Sequence, residues 1–282
     1  MFTLNCRGRI HVIGHPWVMG IINVTPDSFY ESSRYSDRDE LLSAAKKMIH
    51  DGADLLDIGG QSTRPGAKRV SINEELDRVA GAIQAIHLEF PEALISIDSF
   101  YPEVARAAVE AGASMINDIS GGRFDGSMLS TAAALQTPYI CMHMQGEPEN
   151  MQKNIHYENI GLELLEYFIE RIAACRAAGI RDIIVDPGFG FGKSIQDNFR
   201  LLDRLNIFKM LDVPILVGLS RKSTIYKTLN IKAAQALNGS TVMHTLALLK
   251  GANILRVHDV KEAKQAIALV AAYRDEVDGL MG

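Results

Sequence analysis

Residues 94–118, "LISIDSFYPEVARAAVEAGASMIND", contain the repeating unit of the chain. The short apolar run "LISID" ends in an acid and gives way to "YPEVARAAVEAGA", where apolar residues recur at three and four places before a second short run, "SMIND", begins. Runs of this length read as strands, and the three-and-four spacing reads as an amphipathic helix between them. The unit recurs along the chain. The other strand candidates are "VMGIIN", "DLLDI", "PYICM", "DIIVD", "PILVG" and "NILRV", and the helical patterns include "RDELLSAAKKMIHDGA", "NEELDRVAGAIQAIHLEF", "ENIGLELLEYFIERIAACRAAG", "AAQALNGSTVMHTLALLKGA" and "VKEAKQAIALVAAYRDEV". Eight strands, each followed by a helix, predict an α/β fold, the closed (β/α)8 TIM barrel, which takes about 250 residues as one unit. Gly-Ala exits in "DGAD", "EAGAS", "AAGIRD" and "KGANI" supply helix C-caps ahead of the next strand. The residues before "VMGIIN" are expected to form a short hairpin over the barrel bottom, and the absence of a linker makes 1–282 a single domain. The wide apolar stripes of the last two helices could serve either core or interface, and core alone is the default reading.

Composition narrows the function. The 282 residues carry a formal charge of -5 with 47% hydrophobic and 22% charged residues, which argues against a nucleic-acid partner. Cys6, Cys141 and Cys175 are far apart, odd in number and form no C-x-x-C pair, which points to a reducing compartment and away from structural zinc. The first residues, "MFTLNCRGRIHVIGHPW", lack the apolar core of a signal peptide, and no run approaches the ~18 apolar residues of a membrane span. The expectation is a cytoplasmic protein with no membrane partner.

In such a barrel the chemistry gathers where the strands end. Strand 1 ends at Asn23, strand 3 at Asp98, strand 4 at Asn117 and Asp118, strand 6 at Asp186, and strand 8 runs into Arg256 and His258. A single acid or amide there often only shapes a turn. Asp98, Asn117 and Asp186 together would converge in the barrel mouth, where each left unpaired costs about 1–3 kcal/mol. They call for a ligand with N–H edges, and a flat heterocycle with an amino group beside a ring N–H gives a carboxylate such as Asp186 two parallel donors.

The segment 186–194, "DPGFGFGKS", looks like a phosphate loop and is not one. The P-loop spacing puts Pro187 where a glycine is needed, and a dinucleotide fingerprint starting at Gly188 meets Lys193 in place of its last glycine. Its glycines instead let the loop fold back and bring Phe191 over the mouth. Lys193 reads as a solvated loop cation.

Taken in order, "GIINVTPDSF", "DIGGQSTRPGA", "SIDS", "INDISGG", "MHMQG", "DPGFGFGK", "GLSRKS" and "RVHDV" resemble the dihydropteroate synthases, the folate-biosynthesis transferases inhibited by sulfonamides. The resemblance spans residues 20–260. It implies condensation of 6-hydroxymethyl-7,8-dihydropterin diphosphate with 4-aminobenzoate to give 7,8-dihydropteroate and pyrophosphate, assisted by Mg2+ in a homodimeric enzyme. It implies a pterin site at Asp98, Asn117, Asp186 and Lys222, and a diphosphate site at Asn23, Thr63, Arg64, Arg256 and His258, with the Asn23 oxygen as metal ligand. The 4-aminobenzoate would lie among Phe29, Pro65, Phe191 and Ser223. The residues expected to act in catalysis are Asn23, Thr63, Arg64, Lys222, Arg256 and His258.

The physical chemistry of these residues agrees with that carry-over. Asparagine oxygen is a hard donor suited to Mg2+, Arg256 can fork two N–H groups onto phosphate, and Ser223 opens a helix whose N-terminus favours a carboxylate. Charge develops on the departing diphosphate, so catalysis is expected to be electrostatic, with no side-chain nucleophile. His143 reads as a loop-orienting residue rather than a proton carrier.

Two positions depart from the family pattern. "DSFYESS" puts Glu31 at an acidic position and lacks two glycines, and Gln61 stands where many members carry Glu. Two other readings stay open on the sequence. A pterin-binding methyltransferase that serves a corrinoid carrier would use the same Asp98, Asn117 and Asp186 but has no need of the Thr63-Arg64-Pro65-Gly66, Lys222-Ser223 and Arg256/His258 set. A catalytically silent pterin-binding barrel would keep the pocket without turnover.

Overall fold

The computed structural model of the chain describes residues 1–24, 34–61, 69–146, 151 and 155–281. Strands β1 (Phe2–Cys6) and β2 (Arg9–Ile13) pair antiparallel as a hairpin. Eight parallel strands follow: β3 (Trp17–Asn23), β4 (Leu55–Gly59), β5 (Leu94–Asp98), β6 (Met115–Asp118), β7 (Tyr139–Met142), β8 (Ile183–Asp186), β9 (Leu216–Val217) and β10 (Ile254–Val257). Their order in the sheet is β8-β7-β6-β5-β4-β3-β10-β9. A parallel bridge between Val185 and Ile215 joins its two edges into the expected barrel. All eight predicted strands are present. The run "PILVG" shrinks to two residues because Pro214 has no N–H to give the ladder, although its carbonyl still accepts from Val185 N at 3.0 Å.

The outer layer comprises α1 (Arg34–His50), α2 (Ile72–Glu89), α3 (Pro102–Ala111), α4 (Met128–Leu135), α5 (Ile160–Ala178), α6 (Ile195–Asp203), α7 (Ser223–Thr228), α8 (Leu237–Lys250) and α9 (Val260–Met281). Three of these, α4, α6 and α7, escape the periodicity reading because six to nine residues span too few turns to display it. The Gly-Ala exits behave as expected, with Gly52, Gly112, Gly179 and Gly251 all at positive φ.

Alternation along each strand sorts its residues between two cores. Val18, Leu56, Ile58, Ile95, Ile97, Ile116, Val185 and Leu255 face outward into the helices. Met19, Leu55, Met115, Ile140, Ile184, Leu216 and Ile254 face inward and form the barrel floor, sealed from below by Leu4, Cys6 and Ile13 of the hairpin. The hairpin thus lies over the barrel bottom, tied down by Asn5 N to Asp182 Oδ2 at 3.1 Å and by Arg7 Nη1 to the Gly112 carbonyl at 2.9 Å. The polar site is built on this apolar floor.

The assignment of the last helices entirely to the core needs correction. Met243, Ala247 and Leu248 of α8 are buried, but Val242, Leu246 and Leu249 form a second, exposed stripe, as do Leu269 and Tyr273 on the neighbouring α9. The three cysteines are free and buried. Among the described residues no helix is long and apolar enough to cross a membrane.

Candidate active site

On four of the strands one two-residue step up converts the floor into a polar ring. Leu55 is followed on the inner face by Asp57, Met115 by Asn117, Ile184 by Asp186 and Ile254 by Arg256, while a further step places Asp98 and Asn23 at the rim. Parallel register aligns them, with Asp98 opposite Asn117, Asn23 opposite Gly59, and Gly59 opposite Asp98. Gly59 keeps this corner open, because a Cβ there would lie 3.7 Å from Asn23 Oδ1 and 3.6 Å from the Asp98 Cβ.

Asp57 is the hub of the ring, and the sequence reading passed over it. Fully buried, its Oδ2 accepts from Asn117 Nδ2 at 3.1 Å and from Arg256 Nε at 2.6 Å. Arg256 Nη2 then reaches Asp98 Oδ2 at 2.7 Å. The available signal was an acid two residues after Leu55, set between the apolar Leu56 and Ile58. Burial, opposed by Arg256, pushes the Asp98 carboxyl up to about 7. Burial raises Asp186 as well, against the pull of Lys222. Asp57 Oδ1 and Asn117 Oδ1 are buried acceptors with no donor among the described residues. Asp118, beside Asn117 in sequence, faces the other way and binds the Tyr139 hydroxyl at 2.6 Å and Ser120 Oγ at 3.0 Å.

The glycine-rich loop after β8 runs along one wall. Gly188 N donates to Asp186 Oδ1 at 2.8 Å, and Lys222 Nζ donates to the Phe189 carbonyl at 2.5 Å while sitting 4.7 Å from the centre of the Phe191 ring. Burial pushes the Lys222 ammonium down to about 8, although Asp186 opposes it. Phe191 is partly buried against an apolar cluster that contains Phe100, Met142 and Met144. Gly188 is required at its place, since its φ is +66° and a Cβ would come within 2.0 Å of the His143 carbonyl oxygen.

Lys193 corrects the sequence expectation. It is 3% exposed rather than solvated. Its Nζ lies 3.0 Å from His143 Nδ1, 3.0 Å from the Gly188 carbonyl and 3.0 Å from the Phe191 carbonyl. A charged stem reads as surface in a sequence, and only the convergence of carbonyls from two loops explains its burial. His143, buried against the Tyr167 ring at 4.7 Å, has the loop-orienting environment expected of it.

His258 stands at the rim after β10, tied to Ser220. The Ser220 hydroxyl oxygen accepts from His258 N at 3.2 Å and lies 3.0 Å from Nδ1. When the hydroxyl donates to Nδ1, the neutral imidazole carries its proton on Nε2. Burial of the ring and then Arg256 push its pKa down and favour this neutral form, although the residue as a whole is exposed. The adjacent Arg221 makes a two-fold contact with Asp259, 2.8 and 2.7 Å, so the segments after β9 and β10 are paired residue by residue. Ser223 opens α7 directly after Lys222. Phe29, Glu31, Thr63, Arg64 and Pro65 lie outside the described residues.

The family of pterin binding enzymes matches residues 19–258, from β3 to His258. The chain is 45% identical over 271 residues to the dihydropteroate synthase of Escherichia coli strain K12, covering 95% of each chain. The chain belongs to the dihydropteroate synthase family. A Yersinia pestis dihydropteroate synthase, solved as a complex with a sulfonamide drug, superposes with a TM-score of 0.91 at 41% identity, covering 97% of this chain and 100% of the other. The Xanthomonas albilineans dihydropteroate synthase with 4-aminobenzoic acid gives a TM-score of 0.88 at 42% identity, covering 96% and 98%. Membership in this transferase family bears out the resemblance carried by the motifs and sets aside the corrinoid-type methyltransferase.

Proposed function

We propose that the chain, acting as one pterin-binding barrel domain, condenses 6-hydroxymethyl-7,8-dihydropterin diphosphate with 4-aminobenzoate. The C–O bond between the pterin methylene and diphosphate breaks, the arylamine nitrogen forms the new C–N bond and loses a proton, and pyrophosphate and 7,8-dihydropteroate leave. The observation that carries this reading is the inward ring of Asp57, Asn117, Asp186, Asp98 and Arg256 directly above an apolar floor. A pterin supplies N–H groups to the unpaired Asn117 Oδ1 and to Asp98 and Asp186, and offers an acceptor to Lys222. Each bond recovers about 1–3 kcal/mol that an empty, buried acceptor forfeits.

The leaving diphosphate meets Nη1 of Arg256, whose Nε and Nη2 are engaged on carboxylates, and the Nε2–H that His258 carries when Ser220 donates to its Nδ1. Thr63 and Arg64 belong to the same diphosphate site in this reading. Among the described residues no three His, Cys, Asp or Glu side chains converge as a metal cage. A single Asn23 carboxamide beside substrate phosphates fits Mg2+, which keeps most of its waters and shares phosphate oxygens. Bound there, Mg2+ supplies charge neutralisation for the leaving group.

In this reading Phe191 borders the 4-aminobenzoate ring and Ser223 at the start of α7 meets its carboxylate, with Phe29 and Pro65 assigned to the same site by the family resemblance. The same slot accepts sulfonamides, whose aryl amine has a similar shape. The exposed apolar stripes of α8 and α9 support a homodimer, and the free, buried cysteines support a cytoplasmic setting.

Pyrophosphate release from the pterin diphosphate, measured with and without 4-aminobenzoate and Mg2+, tests the reading. Magnesium-dependent release with dihydropteroate formed only when aminobenzoate is present is expected. Tight pterin diphosphate binding with no product would identify a silent barrel, and no binding would sink the site assignment.

A further inference from the structure

The loop Gly188–Lys193 is gripped from two sides by lysines. On the pocket side, Lys222 holds the Phe189 carbonyl at 2.5 Å. On the far side, Lys193 Nζ gathers the Gly188 and Phe191 carbonyls at 3.0 Å each and the His143 carbonyl at 3.4 Å, with His143 Nδ1 as its fourth partner at 3.0 Å. The carbonyls converge because the backbones of the two loops touch. Gly188 and Gly192 sit where any Cβ would strike the His143 and Gln145 carbonyl oxygens, at 2.0 and 2.5 Å. Three oxygens brought together without water repel one another, and a buried cation is what lets them do so.

Two further loop groups are held from other elements. Asn198 Oδ1 accepts from Gly190 N at 2.7 Å, and the Tyr157 hydroxyl donates to the Gly192 carbonyl at 2.9 Å. The Phe191 ring projects between these anchors, with Lys222 Nζ 4.7 Å from its centre. We propose that Lys193 is a positioning residue for the transfer reaction, its ammonium locking the Gly188 and Phe191 carbonyls so that the Phe191 ring is fixed at the arylamine slot. This rests on the reading that Phe191 borders the 4-aminobenzoate. Asp98 and Asn117 stand on strand ends away from the loop, and the Asp186 side chain meets it through Gly188 N at its first residue, so pterin binding is the lesser casualty when the cage opens. Burial is also the chief force pushing the ammonium down to about 7, with Asp186 and Asp197 opposing it and Lys222 adding to it.

The test compares Lys193→Met, which keeps the length of the stem and loses every donor, with Lys193→Gln, which keeps neutral donors, and with the exposed Gln196→Ala as a control on the same loop-to-helix junction. Thermal melts establish folding. In Lys193→Met the KM for 4-aminobenzoate is expected to rise at least ten-fold, with the KM for pterin diphosphate within about three-fold of the parent; Lys193→Gln should fall between, and Gln196→Ala should match the parent. Amide hydrogen exchange over residues 188–192 should accelerate in the same order. A folded Lys193→Met with parental aminobenzoate KM and parental exchange overturns the proposal, and if that variant does not fold, Lys193→Gln decides by the same two readouts. If the parent protein forms no dihydropteroate, the reading of Phe191 fails while the exchange rates still test whether Lys193 locks the loop.

Discussion

Arg256 Nη2 donates to Asp98 Oδ2 across 2.7 Å and so joins β10 to β5, strands that are not neighbours in the ring. The contact spans the barrel mouth. Its cost is electrostatic, since Asp98 is 8% exposed and shares its surroundings with Asp57, Asp118 and Asp186. The pKa of the folded state, about 7, lies above the reference value of 3.8, so the folded form binds the proton more tightly. The associated stability is present below about pH 4 and is lost as pH rises through 7. Replacing Asp98 by Asn removes this ionisation. The melting temperature of Asp98→Asn minus that of the parent should become more positive between pH 5 and pH 8, with a ceiling set by about 1.4 kcal/mol per pKa unit. Pterin affinity should fall roughly 10–100-fold, the loss of a charged hydrogen-bond acceptor. A melting difference that does not change with pH would show that Asp98 carries no such strain.

Lys222 titrates on the other side of neutrality. Burial brings its ammonium down to about 8, so its charge and all three of its N–H donors are available only below that pH. If the ammonium is needed at the pterin, kcat/KM falls on the alkaline side with an apparent pKa near 8. Lys222→Arg keeps its charge at every accessible pH, but its planar fork cannot reproduce a point donor at the Phe189 carbonyl. The variant should therefore be about 10–100-fold lower in kcat/KM and lack the alkaline limb. A pH–rate profile in which that limb stays near 8 in Lys222→Arg would assign it to another group.

These residues differ in how visible they were before the structure. Asp98, Asn117 and Asp186 could be read from the sequence because each stands at the end of an apolar strand, and a turn-shaping role that would account for one of them does not account for three converging in one barrel mouth. Asp57 leaves only a weak signal, a lone acid between apolar neighbours in mid-strand, and its partners Asn117 and Arg256 are 60 and 199 residues away. Lys193 was misread for a related reason. Nothing in "GFGKS" reveals that the His143 carbonyl, 50 residues earlier, will meet its ammonium. Strand order and helix caps are local and could be read, whereas pairings across the ring follow from closure.

The surface beyond the site supplies the last expectation. On α8, Val242, Leu246 and Leu249 are 52%, 41% and 42% exposed at spacings of four and three, and on α9 Leu269 and Tyr273, four apart, are 73% and 60% exposed. Each stripe lies on one helical face, and the two helices pack side by side. A two-fold dimer would bury the patch twice, and each large apolar side chain removed from water contributes about 1.5–3 kcal/mol. Sedimentation should therefore give twice the 31.0 kDa chain mass, and Leu246→Glu or Leu269→Glu should weaken the dimer by more than ten-fold, because two like charges would then face each other across the axis. Ile169→Glu, on the equally exposed but separate α5, should leave the mass unchanged. A parent protein that sediments as a monomer at micromolar concentration would free this face from any role in self-association.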